Sequence, residues 1–438
     1  MHVRKVLLVN PWIYDFAAYD LWAKPLGLLY LGAMLRKSGC RVDLIDCLAY
    51  DQPAPKAYGQ GMFRREIVAK PSALRHIPRH YARYGMPVEA FKSQLARLEP
   101  PDVVLVTSLM TYWYPGVSEA IRHIKQAFAH TPVVLGGVYA TLCYEHAAAN
   151  SGADHVIAGE GEAKLMSLLS DLWGQRIEAP DDLDARAYPC LDLEPSLRYG
   201  CILTSRGCPY RCSYCAAHVL SRGFRRRDFH KVADEIAFWR GRGLNDFAFY
   251  DDALLAQSES FAVPLLKEII DRGLKVRFHC PNAVHARFIT PELAHWMRLA
   301  GFTTIRLGLE TSDPARQFST GNKVTTDEFL QAVDCLRQAG YEAKDIGVYL
   351  LCGLPHQEAG EVRDAIRLVH RSGARPILAE YSPIPHTELW AQAVEASPYP
   401  LEEEPLLHNN TLLPCRWTGF TYARYQELKH GCRSGSGL

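Results

Sequence analysis

The sequence predicts an α/β chain: an open parallel sheet flanked by helices, then a second domain built as a partial β/α barrel, then a short irregular tail. Two observations carry this expectation. Short β-rich apolar runs alternate with helical patterns along most of the chain, the mark of parallel strands joined by crossover helices. The length, 438 residues, corresponds to two or three domains at roughly 150 residues each.

In the amino-terminal part the pattern predicts strands over Lys5–Val9, Arg41–Asp46, Val103–Thr107, Val133–Leu135 and His155–Ala158, with helices over Leu26–Lys37 and Gly116–Phe128. Each strand runs into residues suited to a ligand site: Asn10-Pro11, Asp46, Thr107-Ser108, Gly136-Gly137 and Gly159-Glu160-Gly161-Glu162. Open α/β sheets bind ligands at these carboxyl ends. A second series starts near Arg198. It predicts strands over Cys201–Thr204, Asp246–Tyr250, Lys275–His279, Thr304–Leu309, Ile346–Leu351 and Ile377–Tyr381, separated by five helical patterns. Six strands with crossovers imply a full or partial barrel. The expected organisation is a first domain over 1–180 with an insert at 56–97, a linker at 181–197, a barrel over 198–391 and a tail over 392–438. The linker is marked by acidic and proline-bearing composition.

Composition narrows the function classes. Lys+Arg 49 against Asp+Glu 48 leaves a net charge of +1, which removes a general polycation argument for nucleic acid or membrane binding. The longest uncharged apolar run, Pro25 to Leu35, is far short of the ~20 residues that cross a bilayer. The start reads as a strand and not a signal peptide, so the expected location is the cytoplasm. Locally the balance shifts: residues 56–97 hold nine Lys/Arg against two Glu, with Tyr58, Phe63, Tyr81, Tyr84 and Phe91 interspersed. The insert reads either as a solvated irregular or helical cover, or as the seat of an anionic ligand or partner. His76 and His80 are poor metal partners because Pro78 breaks the helix between them.

Thirteen cysteines in a long chain with no secretory signal argue for metal or redox chemistry over a disulfide framework. Three cluster in Gly207-Cys208-Pro209-Tyr210-Arg211-Cys212-Ser213-Tyr214-Cys215, directly after a strand. At this cysteine content, chance gives that spacing in roughly one such chain in a hundred. Three thiolates on a tight loop can hold three irons of a cubane cluster and leave the fourth iron open. The competing readings are a zinc site, which needs a fourth ligand such as Cys201 or His218, and buried thiols. The remaining cysteines read as small core residues. Cys415, in the irregular tail, is open to either packing or participation.

The CxxxCxxC spacing with Tyr214 before its last cysteine, at the first βα loop of a barrel, resembles the radical S-adenosylmethionine (radical SAM) enzymes. The resemblance continues through Tyr250-Asp251-Asp252, Pro281-Asn282, His285-Ala286-Arg287, Gly308-Leu309-Glu310-Thr311, Gly353-Leu354-Pro355 and Ser382-Pro383-Ile384-Pro385. It implies that Cys208, Cys212 and Cys215 hold a 4Fe-4S cluster whose open iron is chelated by S-adenosylmethionine. One electron then cleaves the sulfonium to a deoxyadenosyl radical. Carried over by motif, Tyr214, Asp251, Asp252, Glu310, Leu354 and Ile384 belong to the S-adenosylmethionine site, with Asp251 or Asp252 by the methionyl amine, Glu310 by the ribose, and Leu354 and Ile384 by the adenine. Arg225, Arg226 and Arg227 are either partners of the methionyl carboxylate or a solvated basic turn.

The first domain resembles the Rossmann-like cobalamin-binding domain that precedes the barrel in one radical SAM subclass. Thr107, Ser108, Met110, Gly136, Gly137, Thr141, Gly159, Glu160 and Gly161 are the positions this implies for cobalamin. The Asp-x-His-x-x-Gly pattern is missing, since Asp20-Leu21-Trp22-Ala23-Lys24-Pro25-Leu26-Gly27 has no histidine. The implied function is a cobalamin-dependent radical SAM methyltransferase acting on an unactivated carbon or phosphorus. The alternative is a radical SAM cyclase, rearrangement or oxidation enzyme in which cobalamin is absent or carries no methyl group. Implied partners are a small-molecule or carrier-bound substrate, anionic on one reading of the insert, and an electron donor such as flavodoxin or ferredoxin. No catalytic side chain is assigned.

Overall fold

A computed structural model describes residues 3–50, 58, 61–417 and 419–434; Lys56 and three other positions of the insert, and the last four residues of the tail, lie outside them. The chain forms two compact units. One comprises Met1–Arg198 with Val219–Arg222 and Glu403–His408; the other comprises Tyr199–His218, Gly223–Glu402 and Asn409–Leu438.

The first unit is built on β1 (Lys5–Asn10), β2 (Arg41–Asp46), β3 (Val103–Val106), β4 (Val133–Leu135) and β5 (His155–Val156). They are hydrogen-bonded in the order β5-β4-β3-β1-β2, all parallel. Val-Val-Leu-Val in β3 is buried throughout, as expected of a strand covered by helices on both faces. Helices Val88–Arg97 and Tyr114–Ala127 cover one face through Phe91, Leu95, Ile121 and Ile124, all at most 1% exposed. Burying each such side chain contributes about 1.5–3 kcal/mol. The chain reverses its direction of travel across the sheet between β1 and β3, so the ligand crevice of this topology opens at their carboxyl ends.

The basic insert is part sheet and part helical cover, its last ten residues being the helix Val88–Arg97 already described. Its Arg65–Val68 and Tyr81–Tyr84 pair antiparallel, and the second also pairs with Ile13–Asp15. Three residues of partner strand are too few to leave an alternation visible in sequence. The acidic stretch 181–197 packs as a strap on the first unit: Arg186 meets Glu162 at 2.7 Å, Lys24 meets Glu194 at 2.8 Å, and the Cys190 thiol donates to the Leu29 carbonyl.

The strap carries a pH prediction. Burial, then the nearby Asp46, pushes Glu194 up to about 7 despite Lys24. The folded state therefore binds more protons than the unfolded chain between about pH 4.5 and 7, and stability falls as pH rises through that window. Glu194→Gln should flatten this slope. Thermal midpoints of wild type and variant measured across the window check it, and parallel curves would refute the assignment.

The second unit orders β6 (Gly200–Ile202), β7 (Asp246–Phe249), β8 (Arg277–His279), β9 (Phe302–Glu310), β10 (Ile346–Cys352) and β11 (Arg375–Glu380) sequentially and in parallel. β6 and β11 are the two edges of this sheet, so the barrel is partial. Crossover helices begin on side-chain caps at Asp228, Thr290 and Thr325, the last a capping box with Glu328; such caps contribute about 1 kcal/mol each. The segment expected as an irregular tail contains helices Trp390–Ala396 and Tyr422–Ser434. The latter packs on β11, with Lys429 and Tyr425 meeting Glu380. Its sequence, YARYQELKHGCRS, has too few apolar residues to show a helical stripe.

Candidate functional site

In the second unit the cysteine loop leaves β6 through Gly207, whose φ of +72° is left-handed. The loop is pinned at three places. Ser213 donates its N–H to the Thr320 carbonyl, Leu389 donates to the Ser213 carbonyl, and Cys215 closes a turn on the Cys212 carbonyl. Gly321 lies against it so closely that a Cβ would stand 2.9 Å from the Arg211 carbonyl oxygen. Cys212 is buried, Cys208 and Cys215 are half-buried, and all three thiols are free. Burial raises each thiol's pKa, Cys208 to about 11, with Cys215 and Cys212 raising Cys208 and Cys212 raising Cys215. Among the described residues no group of three His, Cys, Asp or Glu side chains converges on one metal ion. A cubane needs no such convergence, because each cysteine meets its own iron. The thiols' mutual proximity, with the Lys323 cation close to Cys212 and Cys215, fits an anionic cluster.

The other predicted residues divide by what their side chains already do. Asp251 is fully occupied: it accepts from the Thr204 N–H at 3.1 Å, the Thr204 hydroxyl at 2.6 Å and the Ser205 hydroxyl at 2.5 Å. It braces the end of β6. Asp252 is exposed, raises the pKa of Cys208 and Cys215 by its charge, and is itself pushed up to about 6 by its surroundings and then by Asp251. Glu310 adopts φ +67° at a bulge of β9 and accepts from Lys323 Nζ at 2.9 Å. Gly308 makes room for this pair, since a Cβ would lie 2.5 Å from both charged atoms. Tyr214 is half-buried beside Cys212, its buried hydroxyl without a well-aligned partner among the described residues. Leu354 is buried in a loop braced by Gln357, whose Oε1 accepts from the Gly353 and Leu354 N–H groups. Ile384 is half-buried, its carbonyl accepting from the Thr387 hydroxyl at 2.7 Å.

Arg226 and Arg227 are corrected to structural roles. Arg226 donates to the Ala253, Leu254 and Ala256 carbonyls and stacks on Phe261; Arg227 pairs with Glu235 at 2.6 Å. Cys415 donates to the Ala393 carbonyl at 3.6 Å and is fully buried, a packing role. Sequence reasoning missed Lys323 and Gln357, whereas His285 lies in the His285-Ala286-Arg287 stretch that follows the third barrel strand and belongs to the resemblance. His285 is buried, stacks on Tyr210 at 4.6 Å between ring centroids, and is held neutral by burial and then Lys323.

In the first unit, the carboxyl ends of β3, β4 and β5 are tied together by one network. The Ser108 hydroxyl donates to the Gly136 carbonyl at 2.8 Å, Val138 N–H donates to the Ser108 carbonyl, the Thr141 hydroxyl donates to the Gly137 carbonyl, and Gly159 N–H donates to the Thr141 hydroxyl. Thr107 continues the sheet by donating to the Val9 carbonyl. Ser108 and Thr141 are thus internal braces. Glu160 is engaged by Arg222, whose N–H it accepts at 3.2 Å. What remains open is Met110, 45% exposed, and bare backbone. A Cβ on Gly136 would meet only the Ile157 carbonyl oxygen, at 3.9 Å, and one on Gly161 would meet nothing within 4 Å. A ledge of uncovered backbone flanked by an exposed thioether fits a large flat ligand such as a corrin.

Comparison with known proteins agrees with both units. The Radical SAM superfamily model matches residues 202–369 and the B12 binding domain model matches residues 83–169. A Pyrococcus horikoshii protein described as an uncharacterised methyltransferase is 24% identical over 98% of this chain and 89% of its own length. The anaerobic magnesium-protoporphyrin IX monomethyl ester cyclase of Cereibacter sphaeroides is 24% identical over 69% of this chain, which spans about half (55%) of that relative. The structure of the radical S-adenosylmethionine methyltransferase TsrM from Kitasatospora setae, with cobalamin and a [4Fe-4S] cluster bound, superposes with a TM-score of 0.68 at 20% identity, covering 91% of this chain and 80% of that one. The chain therefore carries a radical SAM domain over residues 202–369, preceded by a B12-binding domain over residues 83–169.

Proposed function

We propose that the protein is a cobalamin-dependent radical SAM methyltransferase that transfers a methyl group to an unactivated carbon or phosphorus of a small substrate. The observation that carries this reading is the coexistence, in one chain, of a three-cysteine loop at the first strand of a partial barrel and a glycine ledge at the carboxyl ends of β3, β4 and β5 of a B12-binding domain. The radical SAM domain implies a 4Fe-4S cluster and S-adenosylmethionine, and the B12-binding domain implies cobalamin. The cluster supplies one electron for cleavage of S-adenosylmethionine, and cobalamin supplies a methyl carrier.

The chain's own residues have these roles in the proposal. Cys208, Cys212 and Cys215 hold the cluster. Asp252, the carboxylate left free by Asp251's bracing, receives the methionyl amine. Glu310, held by Lys323, accepts from the ribose, and Tyr214, Leu354 and Ile384 line the adenine side. Met110, Gly136, Gly159 and Gly161 carry the corrin, while Ser108, Gly137 and Thr141 hold that ledge in place. Flavodoxin or ferredoxin is the electron donor. No helix among the described residues is long and apolar enough to cross a membrane; free thiols throughout support a reducing, cytoplasmic setting.

Anaerobic reconstitution with S-adenosylmethionine tests the reading. Turnover is expected to give deoxyadenosine and S-adenosylhomocysteine together with methylated product. Deoxyadenosine alone would overturn methyl transfer in favour of other radical chemistry.

The insert supports an anionic partner. A surface cleft of about 360 Å³ is lined by Arg65, Arg79 and His80 with Phe16, Ile67 and Tyr84. Reversing Arg65 and Arg79 to Glu is expected to raise KM for an anionic substrate or carrier about tenfold, with kcat unchanged. An unaltered KM would remove the cleft from substrate recruitment.

A further inference from the structure

The inner face of the barrel sheet carries a cation that no carboxylate among the described residues neutralises. Parallel register aligns Arg306 of β9 with Gly347 of β10, and Gly347 with Arg375 of β11; the next row is Gly308, Tyr349 and Ile377. Side chains in register on parallel strands share a face, so Arg306, Tyr349 and Arg375 stand on the face of Gly308, on which the Glu310 carboxylate also lies, 2.5 Å from where a Gly308 Cβ would stand. The opposite face is the helix side. Ile305, Leu307, Ile346 and Val348 are fully buried there, and Glu380 meets the helix Tyr422–Ser434.

Arg306 is positioned with care. Its Cδ and Nη1 lie over Gly347, where a Cβ would stand 2.8 Å from both. Nη1 donates to the Ile305 carbonyl at 3.0 Å, and the guanidinium also meets the Tyr349 hydroxyl, which itself donates to the Pro281 carbonyl. A guanidinium has five N–H donors, so at least two remain after these contacts. Neither Arg306 nor Arg375 has a carboxylate partner among the described residues. Arg306 is half-buried and cannot shed its proton, and Arg375 adds a second positive charge that disfavours it. Desolvating an uncompensated charge is costly. Arg227 and Arg277, by contrast, are each paired with a carboxylate at 2.6 and 2.5 Å.

We propose that Arg306, framed by Tyr349 and Arg375, anchors an oxyanion, carboxylate or phosphate, carried by the substrate of the radical reaction. The inference rests on the barrel being the reaction chamber, and it specifies the substrate class. Arg306 precedes Glu310 by four residues, roughly 13 Å of strand. The anchor therefore sits deeper than the carboxylate assigned to the ribose. The same oxyanion chemistry is present in the methionyl carboxylate of S-adenosylmethionine, and the test separates the two sources.

The test uses the anaerobically reconstituted full chain in an Arg65→Ala, Arg79→Ala background, which removes the cations of the surface cleft. Titration calorimetry with inorganic phosphate and, separately, S-adenosylhomocysteine is run with and without Arg306→Leu, with thermal midpoint and iron content as folding controls. Phosphate affinity is expected to fall tenfold or more, the loss of a hydrogen-bonded charge, while S-adenosylhomocysteine affinity stays unchanged. Gly347→Ala, which keeps the charge but displaces it, is expected to reproduce the loss, and it stands in should Arg306→Leu fail to fold. Unchanged phosphate binding in both variants, or a loss confined to S-adenosylhomocysteine, overturns the proposal. No turnover is needed, so this outcome is independent of the product analysis that tests methyl transfer.

Discussion

Cys212→Ala should abolish the iron–sulfur cluster and, with it, S-adenosylmethionine cleavage. Cys212 is the most buried of the three loop thiols and the one whose pKa Lys323 lowers most directly. The loop around it is fixed by backbone hydrogen bonds to Thr320 and Leu389 and by the close approach of Gly321, so no neighbouring thiol can move in as a substitute. The expected result is iron content near background and deoxyadenosine formation reduced at least about a thousandfold, some 4 kcal/mol in barrier terms. Cys415→Ala is the matched control. Its thiol contacts the Ala393 carbonyl and none of the loop cysteines, so cluster content and cleavage should stay within about twofold of wild type, with a modest loss of stability from the small cavity. Iron analysis and anaerobic deoxyadenosine quantification decide both. Full iron and full cleavage in Cys212→Ala would refute the cluster assignment, and a loss in Cys415→Ala would refute the packing role.

The strands were legible from sequence because their physics is local. Val103–Val106 and Ile346–Cys352 are continuous apolar runs followed by turn residues, and the structure places strands at both. The cysteine loop was legible because its spacing is local too. What depends on distant partners was not. Asp251 and Asp252 are adjacent and chemically identical; only the approach of Thr204 and Ser205, some 46 residues away, makes one a brace and leaves the other free. Lys323 belongs to no motif, and its meaning comes from Glu310 across a bulge that sequence does not announce. The helix Tyr422–Ser434 is held by Glu380 of β11 rather than by a stripe of its own. Arg306 is the extreme case, since what marks it is the absence of a carboxylate among its described neighbours.

The glycine ledge allows the two roles of a missing Cβ to be separated by experiment. Gly137 has φ +100° and ψ −163°, a region essentially reserved for glycine, where other residues carry about 1–3 kcal/mol of strain. Its added Cβ would stand 2.2 Å from the Ser108 carbonyl oxygen and 2.8 Å from the Ser108 nitrogen. Ser108 cannot retreat, because its carbonyl receives Val138 N–H and its hydroxyl holds the Gly136 carbonyl. Gly137→Ala is therefore expected to destabilise the first unit by about 3 kcal/mol or more and to abolish corrinoid binding. Iron loading by the cysteine loop should persist. At Gly136 the surroundings are the reverse. Its Cβ would enter open space, with only the Ile157 carbonyl oxygen near, at 3.9 Å. Gly136→Ala should leave the thermal midpoint unchanged yet weaken corrinoid binding, because the methyl group occupies the surface on which a flat ligand would lie. Corrinoid titration followed by its visible absorption, paired with thermal unfolding, reads both. A wild-type midpoint in Gly137→Ala would deny the strain. Wild-type corrinoid affinity in Gly136→Ala would mean that the ledge holds its ligand elsewhere, since a backbone left bare only for packing has no reason to be bare where nothing packs.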